Sequence, residues 1–369
     1  MNQKAYITDL LNQADVKING SRPWDLVIRN ERTFERTLAH GSLGFGEAYM
    51  DGWWDCEAID QMLTRIFTSG IDKQIRSWRT LLFVLAARVK NAQRKSKAFE
   101  IGERHYDVGN ELYQRMLDPR MVYTCGYWKE AKTLAAAQEA KLELVCKKMS
   151  LEPGMKVLDI GCGWGSFALY AAEHYGVEVV GITVSKEQVA LANERGQGLP
   201  VTFRLQDYRD VTEPFDRIVS LGMFEHVGYK NYRTYMEVAH RLLPEEGLFL
   251  LHTIGGNHSV HTTDPWIEKY IFPNSMLPSI AQIGTSIEDL FVMEDWHNFG
   301  TDYDTTLLEW YANVEQAWPE LGDRYDERFR RMWRFYLLSS AATFRSRNNQ
   351  LWQIVLSKGG LRSRYQSVR

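Results

Sequence analysis

A short apolar run carrying one acid, followed by glycines at alternate positions, restricts this chain more than any other segment: Val157-Leu158-Asp159-Ile160-Gly161-Cys162-Gly163-Trp164-Gly165. Residues 157–160 predict a buried strand. The glycines let the backbone turn through left-handed conformations and approach a ligand with no Cβ in the way. A helix is predicted over 166–175. The same strand-then-helix unit recurs: β-branched and apolar runs at 177–182, 201–205, 215–220 and 248–253 alternate with helical segments. One of these helices opens on Ser185 with Gln188 three residues on, a capping-box start, and another, over 232–243, is stopped by Pro244 and Gly247. Upstream, Leu142, Val145, Cys146 and Met149 repeat at helical spacing before Pro153-Gly154 turns the chain into the first of these strands. Repeats of this length imply the α/β class, a parallel sheet with helices on both faces.

The loop also discriminates between ligands. A dinucleotide loop spaces its glycines G-x-G-x-x-G so that a pyrophosphate reaches the helix N-terminus, whereas here the pattern is G-x-G-x-G with an acid two residues before it. That spacing suits S-adenosylmethionine (SAM), which carries no phosphate, and specifies the Rossmann-like sheet of SAM-dependent methyltransferases. Asp159 is expected to anchor the loop or take the ligand's ammonium group, with Gly161, Gly163 and Gly165 approaching it. In place of the usual acid after the second strand the chain offers Thr183 and Gln188. After the third strand, Gln206 and Asp207 supply an acceptor for the adenine amine and Tyr208 a ring to stack on it. A turn with no ligand is the plainer reading of such a loop, and the β-α-β context favours a cofactor.

At 369 residues and 44% hydrophobic, the chain is long enough for two domains. Cysteines 56, 125, 146 and 162 form no CxxC pair and no disulfide framework, which fits a reducing compartment. His258-x-x-His261 has no evident third ligand, so no metal is expected. The sequence opens on no basic region followed by an apolar stretch, and no segment approaches the ~18 apolar residues that span a bilayer. A cytoplasmic protein is expected. The net charge of −3 conceals an asymmetry: residues 76–97 hold seven basic side chains and no acid, and residues 328–369 hold ten and none. Such runs suggest an anionic surface as partner. In the first run the charges are interleaved with Trp78, Leu81, Leu82, Phe83, Leu85 and Val89, the pattern of an interfacial amphipathic helix, which points to acidic phospholipid and away from nucleic acid. The bland alternative is a surface helix packed on its own domain.

Residues 1 to about 98 read as a mostly helical module with a turn-rich middle at Gly41-Ser42-Leu43-Gly44-Phe45-Gly46. The polar stretch 90–96 is the expected linker, giving domains 1–95 and 96–369. After His252 the regular alternation stops. Residues 254–290, with Pro265, Pro273 and Pro278, read as a loop-rich insertion, 291–299 as a strand, 304–317 and 324–345 as helices, and 351–357 as a final edge strand. Aromatics crowd those two helices, Trp310, Tyr311, Trp333, Tyr336 and Phe344 among them. Most are expected to be core, and their density suits an apolar pocket built by the insertions at about 254–290 and 304–349.

Taken together, several segments resemble the cyclopropane-fatty-acyl-phospholipid synthases, the two-domain bacterial branch of the cyclopropane and mycolic acid synthase family. They are His105-Tyr106-Asp107-Val108-Gly109-Asn110, Met121-Val122-Tyr123-Thr124-Cys125-Gly126-Tyr127-Trp128, the glycine loop, Gln206-Asp207-Tyr208-Arg209-Asp210, Gly222-Met223-Phe224-Glu225-His226-Val227-Gly228, Leu251-His252-Thr253-Ile254-Gly255 and Asp302-Tyr303-Asp304-Thr305-Thr306-Leu307. Gly41-Ser42-Leu43-Gly44 and Tyr49-Met50-Asp51-Gly52-Trp53-Trp54 extend the likeness over essentially the whole chain.

The resemblance implies transfer of a SAM-derived methylene to the cis double bond of an unsaturated phospholipid acyl chain. It implies a bound bicarbonate as base, held by Cys125, Glu225, His252, Ile254 and Tyr303, with Tyr123 and Thr124 at the methionine end of SAM. It also implies a peripheral protein at the inner face of a bacterial membrane, with the N-terminal module docking on the bilayer and a homodimer as a candidate assembly. Each site residue has a plainer reading: Glu225 as a helix cap, His252 as a satisfied core histidine, Cys125 as an inert buried thiol. Ser340 stands where some relatives carry a cysteine proposed as catalytic, and a mechanism without a covalent enzyme intermediate does not need that thiol. The competing readings are an alkene C-methyltransferase giving a branched chain, an N- or O-methyltransferase of a soluble substrate, and a lipid-binding module with a vestigial SAM fold.

Overall fold

The computed structural model describes residues 3–73, 109–322 and 324–369. The basic amphipathic stretch at 76–97, the expected linker at 90–96 and most of the His105-to-Asn110 motif lie outside the described residues. The described chain forms two compact units, one from residues 109–260, 274–302 and 350–369, the other from 3–73, 261–273 and 303–349. The second unit thus includes the two long aromatic helices, which the sequence reading had placed as insertions of the catalytic part.

The first unit is built on a seven-stranded sheet. Its strands are β3 (Lys156–Ile160), β4 (Glu178–Thr183), β5 (Val201–Leu205), β6 (Arg217–Leu221), β7 (Leu248–Gly256), β8 (Phe291–Asn298) and β9 (Asn349–Lys358), in the order β5-β4-β3-β6-β7-β9-β8; β1 (Val27–Ile28) and β2 (Trp54–Asp55) belong to the other unit. From β5 to β7 all pairs are parallel, with Val157 opposite Val179 and Leu221 opposite His252. Side chains alternate between two cores. Leu158, Ile160, Val180, Ile182 and Ile218 pack with the helix Tyr232–Leu242, whereas Val157, Val179 and Val219 pack with the helices Leu134–Lys148 and Ser166–Tyr175. Both faces are therefore covered, and the strand order reverses between β3 and β6, the place where sheets of this class bind ligands.

One prediction is corrected here. The final strand is not an edge: β9 lies between β7 and β8, and β8 is the outer, antiparallel strand, with Val292 and Met293 exposed. The run Leu351-Trp352-Gln353-Ile354-Val355-Leu356-Ser357 is buried throughout, the signature of an interior strand rather than a half-solvated one. The expected insertion at 254–290 also contains two short helices, Pro265–Tyr270 and Ile280–Ile287, the second opened by a capping box between Ser279 and Gln282.

In the second unit β1 (Val27–Ile28) pairs with β2 (Trp54–Asp55), and the glycine-rich middle expected to be a turn is the helix Ser42–Met50. Its glycines serve close packing. A Cβ on Gly44 would lie 2.2 Å from the Arg36 carbonyl oxygen, and one on Gly46 would lie 2.5 Å from the Trp266 ring. The helix Glu327–Arg345 carries half of the second basic run, and four of its five charges are spent internally: Arg328 pairs with Asp51, Arg330 with Glu315, Arg331 with Asp55, and Arg345 with both Asp60 and Asp304. In the sheet unit Arg369 pairs with Asp295 and Arg362 with Glu246. The run read as facing an anionic partner is therefore largely an intramolecular network.

Candidate active site

The glycine loop forms as its spacing predicts. Gly161, Gly163 and Gly165 have φ of 81°, 54° and 84°, and the N–H groups of Gly161 and Cys162 donate to the Ile182 carbonyl at 2.9 and 3.1 Å. The outer two glycines are needed for packing, since a Cβ would come within 2.6 Å of Met223 at Gly161 and of Phe203 at Gly165. The middle one differs: a Cβ on Gly163 would meet nothing within 4 Å. There the loop borders open space. Asp159, on β3 beneath it, is buried, and burial raises its carboxyl to about 7.

Two other segments converge on this loop. The turn after β6 lies against it through Met223, and a Cβ on Gly222 would lie 2.7 Å from Thr124 Cγ2. Thr124 is held from behind: Lys141 Nζ donates to its Oγ1 at 2.8 Å and Gln138 Nε2 to its carbonyl at 2.7 Å. Lys141 is fully buried, and burial lowers its ammonium to about 8 against the opposing pull of Asp118, Cys125 and Asp159. Tyr123 packs edge-on against Tyr113, which in turn meets Trp164 of the loop. After β4, Thr183 Oγ1 donates to Gln188 Oε1 at 2.8 Å, and both side chains are buried. Ser185 caps the following helix by accepting from Gln188 N–H at 3.3 Å, so the expected capping box is made in one direction while the Gln188 side chain turns to Thr183. Gln206 N–H donates to the Thr183 carbonyl at 3.0 Å.

Two residues of this set are engaged elsewhere. Arg209 donates to both carboxylate oxygens of Asp207 at 2.7 Å, and the Tyr208 ring sits in the core, 4.9 Å from Tyr235. An open space at Gly163 and polar atoms at Thr124, Thr183 and Gln188 fit a methionine-bearing nucleoside, and the nearby guanidinium of Arg195 is spent on the Trp164 carbonyl at 2.7 Å.

Three of the candidate catalytic residues lie on or just past β6 and β7: Glu225 follows β6, and His252 and Ile254 are on β7. Glu225 lies in a single 3-10 turn, Phe224–His226, four residues past β6. It is 6% exposed, and the Ile254 N–H donates to its Oε1 at 2.7 Å. The Ile254 N–H is thus taken by Glu225 and is not directed at a separate anion. Glu225 Oε2 is buried with no hydrogen-bond partner among the described residues. Burial raises the carboxyl to about 7, with the Ile254 bond opposing the rise. His252 is 1% exposed on β7, its carbonyl accepting from Gly222 N–H at 2.9 Å. Burial, reinforced by the positive charges of Lys141 and Lys148, pushes its pKa well below the usual value, so the ring is neutral. Its Nδ1 is 3.3 Å from Gln353 Nε2, and its Nε2 is buried with no partner among the described residues. Cys125 is fully buried, its Sγ directed at the Gly126 carbonyl. Tyr303 belongs to the other unit, where its ring stacks on Phe344 at 4.6 Å and meets Trp310 edge-on.

Glu225 Oε2 and His252 Nε2 are both buried polar atoms with no partner among the described residues, and each is the kind of atom a small hydrogen-bonding group would satisfy. Sequence reasoning missed Lys141 and Gln353. Lys141 had a weak signal, because it lies one residue before Leu142 on a helix whose buried positions run almost all round.

The chain matches known proteins along its length. The profile of the mycolic acid cyclopropane synthetase family covers residues 93–354. A curated relative, the cyclopropane-fatty-acyl-phospholipid synthase of Escherichia coli strain K12, is 54% identical over 352 residues, 95% of this chain and 92% of the relative. Among solved structures, the cyclopropane synthase MmaA2 from Mycobacterium tuberculosis superposes with a TM-score of 0.66 at 32% identity, covering 70% of this chain and 98% of that one. The mycolic acid cyclopropane synthase CmaA1 complexed with SAH and CTAB gives the same TM-score, identity and coverage.

Proposed function

This chain belongs to the mycolic acid cyclopropane synthetase family, and from that premise we propose that it transfers a methylene group from SAM to the cis double bond of an unsaturated phospholipid acyl chain, giving a cyclopropane. The observation that carries this reading is the Glu225 carboxyl, buried beside the glycine loop's own partner turn, with one oxygen tied to Ile254 and the other unpartnered. When bound, SAM supplies a methyl carbon made electrophilic by the sulfonium. Thr124, Gly161, Gly163, Thr183 and Gln188 are the residues that hold it, and Lys141 fixes Thr124.

An isolated alkene is a weak nucleophile, so the protein contributes mainly by alignment and by excluding water. Closing a ring then requires a proton to leave the transferred carbon. An N- or O-methyltransferase has no such need, and neither does a lipid carrier. A buried carboxyl with a pKa near 7 is suited to hold that proton or to orient a base that does. Bicarbonate would be a base of that kind, and Glu225 and His252 are the residues of this chain that would hold and orient it.

The N-terminal module and the basic run at 76–97 are the parts proposed to dock on anionic phospholipid at the inner membrane face. No described helix is long and apolar enough to cross a membrane, so contact with lipid would be peripheral. The test is fatty-acid profiling of cells with and without the gene. Cyclopropane acyl chains that appear only with the gene support the proposal; methyl-branched alkenes in their place, or an unchanged profile, overturn it.

A further inference from the structure

His252 can aid a bound anion only if the correct nitrogen carries its proton. The ring is neutral, so it has one N–H to place on either nitrogen. Nδ1 faces Gln353 Nε2 at 3.3 Å, and an amide nitrogen donates but does not accept. With the amide oriented so that Nε2 faces the ring, Nδ1 offers its lone pair, which leaves the proton on Nε2 of His252. We propose that Gln353 is a positioning residue that locks His252 in the Nε2–H tautomer, turning the ring's inward nitrogen into a fixed neutral donor.

The placement favours this role over simple packing. Gln353 is fully buried on β9, the strand next to β7, between the buried Trp352 and Ile354. Its own Oε1 has no partner among the described residues. A Leu or Met would fill the same volume in this apolar strand without an unsatisfied carbonyl, so the amide costs stability that only its bond to His252 offsets. The ring is steadied further by Phe299, 6.0 Å away edge-on.

The consequence bears on ligand chemistry, and it rests on the proposed reading of the site. With Nε2–H as donor and Glu225 Oε2 as acceptor, the site matches a group that both accepts and donates, such as hydrogencarbonate. With the opposite tautomer it would present two acceptors, suited to a cation or a hydroxyl pair instead. Carbonate, which cannot donate, matches the Nε2–H arrangement only when the Glu225 carboxyl carries its proton.

The test is long-range ¹H–¹⁵N correlation NMR on full-length protein labelled at histidine, with His252 assigned through His252→Asn. The wild-type spectrum should show a pyrrole-type Nε2 and a pyridine-type Nδ1. Gln353→Met should give a mixture of tautomers and lower kcat by about tenfold, with KM for SAM within about twofold. Gln353→Glu places an acceptor opposite Nδ1, and should shift the proton there and lower kcat by on the order of a hundredfold or more. A wild-type Nδ1–H signal overturns the proposal, as does a Gln353→Met protein with unchanged spectrum and turnover. Should neither variant fold, the wild-type spectrum alone decides. The tautomer is read without any product, so a wrong assignment of the overall reaction would show in product analysis and leave this result standing.

Discussion

Glu225→Gln separates the two things its carboxyl does, a cost to folding and a service to chemistry. The structure keeps the Ile254 N–H bonded to one oxygen, which glutamine can supply equally well, so the substitution removes the charge and the titratable proton and turns the second oxygen into an amide donor. Burial raises the carboxyl from 4.5 to about 7. A rise of that size corresponds to roughly 3 kcal/mol of unfavourable ionisation in the folded state. The sign follows from linkage: a carboxyl whose folded pKa lies above its unfolded value binds its proton more tightly when folded. Stability is therefore full below the unfolded pKa and falls as pH rises through the folded one.

Glu225→Gln should thus melt with the wild type at pH 4.5 and progressively above it between pH 5 and 8. The gap at pH 8 would have a ceiling of roughly 6 to 12 °C for a unit of this size. Turnover at pH 7.5 should fall by about 10² to 10⁴ while SAM affinity stays within about twofold. Calorimetric melts across that pH range, paired with SAM titrations, provide the readout. A melting gap that does not change with pH would mean that Glu225 ionises as an ordinary exposed acid, and the argument from a dry site would be lost.

Three further outcomes are expected. Gly163→Ala places a Cβ in open space but forces a left-handed backbone, so it should lower stability by about 1 kcal/mol and weaken SAM binding by calorimetry. Gly165→Ala, which collides with Phe203, should instead lower the melting temperature sharply, and equal effects from the two would refute the distinction. Lys141→Met should weaken SAM binding about tenfold through loss of its bond to Thr124 Oγ1; unchanged affinity would show that Thr124 needs no such support. Replacing Arg94, Lys95 and Lys97 by Gln should reduce flotation with anionic vesicles and flatten its salt dependence. Unaltered flotation would mean those charges do not touch lipid.

The sheet was legible because its signal is local. Residues 157–160 and 201–205 alternate with helical segments that bury complementary faces, and three glycines with positive φ cannot easily be anything but a tight loop. Glu225 and His252 were legible for a different reason, through the motifs that carry the resemblance. What the sequence hid depends on partners distant in the chain. Arg328, Arg331 and Arg345 read as a basic surface because their acids, Asp51, Asp55 and Asp60, lie more than two hundred residues away. Asp207 read as a free acceptor although Arg209, two residues on, takes both its oxygens. Gly44 and Gly46 looked like turn residues because a glycine tolerated for close helix packing has the same letter as one needed for positive φ. Gln353 was invisible inside an apolar strand, since periodicity shows that a residue is buried and not which ring it faces.

The central claim is that a buried proton acceptor lets this protein close a three-membered ring rather than stop at methylation. Purified protein incubated with SAM and vesicles of cis-unsaturated phospholipid, with the acyl chains analysed by mass spectrometry and ¹H NMR, tests it directly. The account predicts a gain of one CH₂ per modified chain together with loss of the olefinic protons and appearance of cyclopropyl resonances. A gain of one CH₂ with the olefinic signals retained would contradict it.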